Sequence, residues 1–438
     1  MVPVSERRGS SLPGTALLLA ALSLALLVAA DEPRPQHSTS LSPQGGSGVE
    51  LDSEELAEIA LERTPAVARR VEAIRELRFE RVPQPRLADT DYLRRLTERE
   101  LSRPKLAREL RADEAGLRLL GLIEPGAKIE SIASDFTALA AAFYDPGAKR
   151  LFVVSDAVPA GPALVEFVLS HELTHALEDQ RFGLPRSNGP ASDERALAQS
   201  ALVEGTASAL MTEYAGRHLS ALDLASDAAG IVEPQTELPQ FLEAQAMFSY
   251  IRGQEFVEDL YARTQSWALV DRAFTERPPR TSEQILHPVT YMLDERALAV
   301  PAAPSPGRGW RELDEDLVGE FLTAQVLQLA EGPVPASASE GWGGDRYQLW
   351  ARAGTGECDG ACRSGYALAI GWRWDSPADL REFGEALVEY VETGLGGEAR
   401  GPGSWQLDGG WGHVGVDAGV ARLGLGPTAA LARRLAGG

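Results

Sequence analysis

The chain has 438 residues, 42 basic against 64 acidic side chains, and a formal net charge of -22. A hydrophobic fraction of 44% supplies core material for two or three domains at about 150 residues each, which excludes general disorder. The charge excludes nucleic-acid binding driven by bulk electrostatics, and two cysteines exclude a disulfide-built scaffold.

At the N-terminus, Arg7 and Arg8 precede an apolar run from Ala16 to Ala30 in which Ser23 is the only polar residue. That run is short for a bilayer span, and Val28-Ala29-Ala30 presents small side chains where a signal peptidase reads. The pattern predicts a signal peptide over residues 1–30 cleaved after Ala30, with an uncleaved anchor as the alternative; either places the body of the protein outside the cytoplasm. Residues 31–50, rich in Pro, Ser, Gln and Gly, read as a flexible linker.

Residues 51–130 read as a mainly helical region. Leu51, Leu56, Ile59 and Ala60 recur at helical spacing, Leu77–Val82 is expected as a short strand closed by Pro83 and Pro85, and 90–123 returns to helical patterning. An inhibitory pro-segment is one reading of this region. Residues 131–333 follow as the expected catalytic region. Phe143-Tyr144-Asp145-Pro146-Gly147 is a turn signal between the apolar stretch 139–144 and the β-rich Arg150–Val154, so the pair predicts a hairpin. Gly161-Pro162 opens a helix to about Gln180 that stops near Gly183. Ser192 is an N-cap candidate for a second helix, with Asp193 and Glu194 in its first turn, running to about Gly216. Residues 238–293 are helical again, with breaks at Gly253 and Pro278-Pro279. Residues 334–438 carry six of the eight tryptophans, at 342, 350, 372, 374, 405 and 411. Tyr366–Trp374 predicts a strand, 377–393 an amphipathic helix and 405–425 Gly-interrupted strands, together an α+β C-terminal lobe. Its tryptophans read as sheet core, with a sugar or peptide platform as the alternative.

The chemistry concentrates in His171-Glu172-Leu173-Thr174-His175. Residues four apart share a helix face, so His171 and His175 can present two imidazoles to one Zn2+ ion, with Glu172 beside an open coordination position. Glu204, in Val203-Glu204-Gly205-Thr206-Ala207 on the second helix, is the candidate third ligand; Glu194 and Glu213 compete with it on the same helix. Two His and one Glu with one open position is a catalytic rather than a structural zinc set. Gly205 costs roughly 1 kcal/mol against Ala in a helix interior, which a close helix–helix or metal approach would explain. Asp179 is expected to orient a ligand His or anchor the following loop. Tyr250 and His287 are candidates to hydrogen-bond an oxyanion, against the alternatives of a core aromatic and a loop brace. Cys358 and Cys362 are expected to form a small-loop disulfide.

His171 through Ala176, with Asp179, resembles the zinc helix of thermolysin-like metallopeptidases, the gluzincins, and Glu204-Gly205-x-Ala207 is similar to their third-ligand helix. A closer likeness is to a poorly characterised group of extracytoplasmic prokaryotic metallopeptidases. It rests on 143–146, 171–180, Glu204-Gly205 and Thr281-Ser282-Glu283-Gln284-Ile285-Leu286-His287-Pro288, and covers roughly residues 50–380. The resemblance implies an α+β zincin-like catalytic domain: a small mixed sheet with an edge strand over the cleft, then the HExxH helix and an antiparallel helix carrying the Glu ligand. In that group an acidic residue often follows the Glu-Gly pair. Thr206 stands there in this chain, so support for a ligand His would come from Asp179, Glu178 or elsewhere.

The expected function is that of a secreted or periplasmic zinc metallopeptidase. Glu172 acts as general base and then acid, Tyr250 or His287 stabilises the oxyanion, and 150–154 serves as an edge strand for an extended substrate. Expected partners are a peptide or protein substrate, with no nucleic acid and no membrane beyond an uncleaved N-terminal anchor. The alternative is a catalytically weak zincin-fold binding protein whose Trp-rich lobe recognises a peptide or cell-envelope ligand.

Overall fold

The computed structural model describes residues 53–137, 140–154, 161–184, 193–228, 239–332 and 334–438; the expected signal peptide, the linker and the N-cap candidate Ser192 lie outside them. Helix α1 (Ser53–Arg75) buries Ala60, Val67, Ala68 and Val71, a stripe at helical spacing, against the core. It turns at Glu76, where φ is 59°. The strand expected at Leu77–Val82 does not form. Glu72 takes the N–H of Phe79, and the Gln180 side chain takes those of Glu80 and Arg81, so these donors are unavailable to a ladder. The strand comes after Pro83, as β1 (Pro85–Ala88). Helices α2 (Thr90–Leu101), α3 (Leu106–Leu119) and α4 (Ile129–Thr137) then build a small cluster of their own around Leu101, Leu106, Leu110, Ile129 and Ala133.

The predicted hairpin forms between β2 (Ala142–Asp145) and β3 (Arg150–Val154), with Asp145 accepting the Gly147 and Ala148 N–H groups in the turn. β1 adds to the other side of β3 in parallel, giving a three-stranded mixed sheet of order β1-β3-β2. This corrects the expectation that 150–154 is the edge strand: it is the central one. Its unbroken buried run Leu151-Phe152-Val153-Val154 is what a strand covered on both faces requires, and β2 and β1 are the edges.

α5 (Pro162–Arg181) starts with Gly161 as N-cap and Pro162 at its first turn, and ends before Gly183, where φ is +73°, as the sequence predicts. α6 (Asp193–His218) runs antiparallel to it. The helical stretch continues as α7 (Ala221–Ala228), α8 (Gln240–Met247), a π-helical turn at Phe248–Arg252, α9 (Gly253–Thr264), α10 (Ala268–Thr275), α11 (Ser282–Leu286) and α12 (Pro288–Met292). Gly253, expected as a break, instead joins the π turn to α9 without interruption. Pro278-Pro279 does separate α10 from α11.

The C-terminal region is built on one antiparallel sheet of order β4-β5-β6-β10-β9-β8-β7. Its strands are β4 (Trp310–Asp316), β5 (Trp342–Arg352), β6 (Tyr366–Trp374), β7 (Glu398–Gly401), β8 (Ser404–Leu407), β9 (Gly410–Asp417) and β10 (Val420–Gly426). α13 (Gly319–Leu327) follows β4 directly. Side chains alternate across β6: Trp372 and Trp374 pack on Phe383 of α14 (Pro377–Glu389), while Ala367 and Ala369 meet Leu435 of α15 (Ala429–Leu435) on the opposite face. Trp342, Trp350, Trp372, Trp374 and Trp405 are all buried and Trp411 is partly buried. The tryptophans are sheet core rather than a platform. Cys358 and Cys362 are disulfide-bonded. One continuous core runs from α1 through α5 and α6 into this sheet. No helix among the described residues is long and apolar enough to cross a membrane.

Candidate metal centre

Helix α5 is buried on nearly every side from Leu164 to Asp179, because α1, α6 and β2 all pack on it. Its one-turn spacing brings the imidazoles of His171 and His175 together, with their Nε2 atoms 3.0 Å apart. Glu204 Oε2 lies 3.3 Å from each. A tetrahedral zinc with ligand bonds of about 2.0–2.1 Å has ligand–ligand edges of about 3.3–3.4 Å. The three atoms therefore already describe one face of such a tetrahedron, and the donor set suits zinc. Glu194 bonds Ser282 and Glu213 pairs with Arg217, so Glu204 is the one of the three candidate carboxylates that meets the histidines.

Glycine makes this geometry attainable. A Cβ on Gly205 would lie 2.0 Å from the carbonyl carbon of Gly253, and one on Gly253 would lie 2.1 Å from the Ala201 oxygen. The reason for Gly205 is thus a helix–helix contact beside Glu204, in which two glycines let α6 and the start of α9 cross. The π turn before Gly253 packs on α6 and carries Tyr250, buried, with its ring centroid 6.1 Å from that of His171. Single π turns are often found at functional sites.

Glu172 is held from the sheet: its Oε2 accepts the backbone N–H of Tyr144 at 2.7 Å. That bond aims the outer edge of β2 at the site. Burial pushes the Glu172 carboxyl up to about 7, against the opposing pull of His175 and the Tyr144 N–H. Burial also lowers the basicity of His171. In His175, burial acts downward too, but Glu204, Glu172 and Glu178 outweigh it and raise the imidazole to about 9. Glu204 is held well below the ordinary carboxylate range, because the two imidazoles outweigh its burial.

Asp179 anchors rather than orients. It accepts the Tyr144 hydroxyl at 2.8 Å, the Leu184 N–H at 3.1 Å and the Lys149 ammonium, tying the hairpin and the loop after α5 to the helix that carries His171 and His175. Glu178 is taken by Arg75 and Thr206 by the Leu202 carbonyl. The support for a ligand His expected from Asp179 or Glu178 is not supplied by either, and Nδ1 of both histidines is buried without a hydrogen-bond partner among the described residues. His287 sits at the junction of α11 and α12, where its Nε2 meets Glu320 Oε1 at 2.9 Å. That bond makes it a brace to α13, and its other charged neighbours are Glu283 and Glu340.

Two residues of this neighbourhood were not singled out from sequence. Tyr144 reaches Glu172 through its backbone N–H, which no side-chain pattern reveals. Arg75 is fully buried, with Nε 3.0 Å from Glu178, Nη2 2.7 Å from Asp271 and its guanidinium 4.6 Å from the centre of the Trp267 ring. Its signal was present: Val67, Val71 and Arg75 continue one buried stripe at four-residue spacing.

A family described as a domain of unknown function, DUF8575, matches residues 308–426, the segment from just before β4 to the end of β10. No curated protein matches the chain, and no solved structure does. The site geometry thus stands on its own. It is a His171–His175–Glu204 cluster on two antiparallel helices beside a small mixed sheet, a zincin-like arrangement in outline.

Proposed function

We propose that this chain is a zinc-dependent metallopeptidase of the thermolysin-like type, acting outside the cytoplasm after removal of residues 1–30. The observation that carries the reading is the near-equilateral triangle of His171 Nε2, His175 Nε2 and Glu204 Oε2, with Glu172 buried one residue from the first ligand. His171, His175 and Glu204 would hold the ion, which supplies Lewis acidity and lowers the pKa of water towards about 7.

The protein's own groups perform the rest. With one oxygen held by Tyr144, Glu172 uses the other to take a proton from the attacking water and pass it to the leaving amine. Tyr250, stacked near His171, donates to the developing oxyanion; His287 is committed to Glu320. The substrate backbone adds to the outer edge of β2, in place of the edge first expected at 150–154. Residues 53–130 belong to the frame of the enzyme rather than to a detachable pro-segment, because the fully buried Arg75 ties α1 to the zinc helix. The binding-protein alternative is weakened because five of the six C-terminal-lobe tryptophans are buried in the sheet core.

The test is peptide hydrolysis by the zinc-loaded protein against Glu172→Gln. The variant should bind zinc normally and lose about 10² to 10⁴ in rate. Equal rates would remove Glu172 from the mechanism, and no hydrolysis by the wild type across a broad peptide library would overturn the enzyme reading.

A further inference from the structure

A single residue fastens the hairpin to α5 at two points. The backbone N–H of Tyr144 donates to Glu172 Oε2 at 2.7 Å, and its hydroxyl donates to Asp179 Oδ2 at 2.8 Å. Glu172 and Asp179 stand two turns apart on α5, about 10.5 Å along the axis. Tyr144 therefore lies along the helix, with its backbone at Glu172 and its phenol at Asp179. The strand pairing puts it there. The Val154 N–H bonds the Ala141 carbonyl, and antiparallel pairs alternate between bonded and unbonded, so the 144/151 pair is unbonded and the Tyr144 N–H faces outward from the ladder. Its side chain shares a face of the sheet with Ala142, Leu151 and Val153, which join the main core.

The point at Asp179 is the firmer one. Asp179 is buried, and besides the phenol it holds the Lys149 ammonium through the same oxygen and the Leu184 N–H at 3.1 Å through Oδ1. Lys149 closes the hairpin turn in the left-handed region, at φ 55°. Asp179 thus grips the turn through Lys149 and the strand through Tyr144. The Glu172 carboxylate, by contrast, accepts one hydrogen bond among the described residues, the one from the Tyr144 N–H. A carboxylate with a single restraint points where that restraint puts it. The placement of Glu172 therefore depends on where β2 stands over α5, and that depends on the phenol at Asp179.

We propose that Tyr144 is a positioning residue for Glu172, and that its hydroxyl, gripped by Asp179, is what makes it one. The hydroxyl fixes the β2 backbone at the height where its N–H restrains Glu172 Oε2, which leaves Oε1 to move the proton. The effect on rate rests on the peptidase reading; the effect on the Tyr144 N–H does not. Without the hydroxyl β2 stays paired with β3, so the edge offered to a substrate persists and the loss falls on kcat rather than KM. A misplacement of about 1 Å at a reacting group can cost on the order of 10²-fold in rate.

The experiment uses Tyr144→Phe, which removes one oxygen and keeps the ring and the N–H, with Asp179→Ala as the second variant. Hydrogen exchange, resolved to single amides, should speed up about tenfold or more at position 144 in both. The amides of Phe143 and Asp145, which face β3, should keep their protection. In the zinc-loaded full chain, Tyr144→Phe should lower kcat by about 10- to 100-fold and change KM by less than about twofold, with zinc content unchanged. Placed on Glu172→Gln, the same substitution should leave the residual rate almost unaltered, because the group it positions is already gone. Unchanged exchange at amide 144, or an equal fall in kcat on the Glu172→Gln background, would overturn the proposal. A wild type that cleaves no peptide would overturn the peptidase reading instead, and the exchange at amide 144 would still decide the positioning.

Discussion

Replacing Arg75 with Met tests how α1 supports α5, the helix that carries His171 and His175. Arg75 and Glu178 both have fully buried side chains, joined at 3.0 Å, and the guanidinium lies over Trp267. Met roughly keeps the volume, so the main effect is electrostatic: Glu178 loses its only described partner inside the core. Even with Arg75 in place, burial raises the Glu178 carboxyl to about 7. Breaking one half of a buried pair costs about 3–5 kcal/mol, and loss of the contact with Trp267 adds roughly 0.5–2 kcal/mol. Asp271, the second partner, is 37% exposed and can turn to water, so it adds little. Against a typical total of about 5–15 kcal/mol, this is a large fraction of the stability. The assay is denaturant unfolding at pH 8 as a double-mutant cycle with Glu178→Leu. Arg75→Met alone should lose several kcal/mol, and the double variant should recover most of it, because no buried charge is left unpaired. A single-variant loss below about 1 kcal/mol, or a double variant no more stable than Arg75→Met, would refute the reasoning.

Gly205→Ala should destabilise by about 1–3 kcal/mol despite a gain of roughly 1 kcal/mol in helix propensity, because the new Cβ meets backbone atoms of Gly253 at 2.0 Å. It should also weaken zinc binding by displacing Glu204; a more stable variant with unchanged zinc affinity would contradict the contact. The stability of the metal-free protein should fall as pH rises from about 5 to 8. The folded-state values of Glu178, Asp345 and Glu283 are raised by burial to about 7, 6 and 8, so the native state holds more protons than the unfolded chain across that window. His175, raised to about 9, acts in the same direction, since its stabilisation is complete below its unfolded value near 6.5 and is lost as the imidazole deprotonates. A denaturation midpoint that climbs between pH 5 and 8 would contradict the sign.

Much of this arrangement was readable from the chain. Four-residue spacing put His171 and His175 on one face, Gly161-Pro162 and Gly183 bounded their helix, and Asp145-Pro146-Gly147 marked the hairpin. Each is a local signal, decided within a few residues. The failures are non-local. Whether 150–154 is an edge depends on β1, recruited from some sixty residues earlier in the chain and displaced past Pro83 because side chains occupy the donors before it. The grip of Tyr144 on Glu172 runs through a backbone N–H, and the π turn beneath Tyr250 has no compositional mark. His287 looked chemical by type, yet its place between two short helices turns it towards Glu320. Glu204 lay between: its segment was identifiable, but only the crossing of Gly205 and Gly253 shows why that carboxylate, and not Glu194 or Glu213, reaches the histidines.

The central claim is that His171, His175 and Glu204 form one zinc site. Elemental analysis of the purified protein after zinc loading and exhaustive dialysis tests it directly. The wild type should hold one zinc per chain, and His175→Ala should lose that zinc with the fold retained. Full zinc retention by His175→Ala, or no zinc in the wild type, would contradict it.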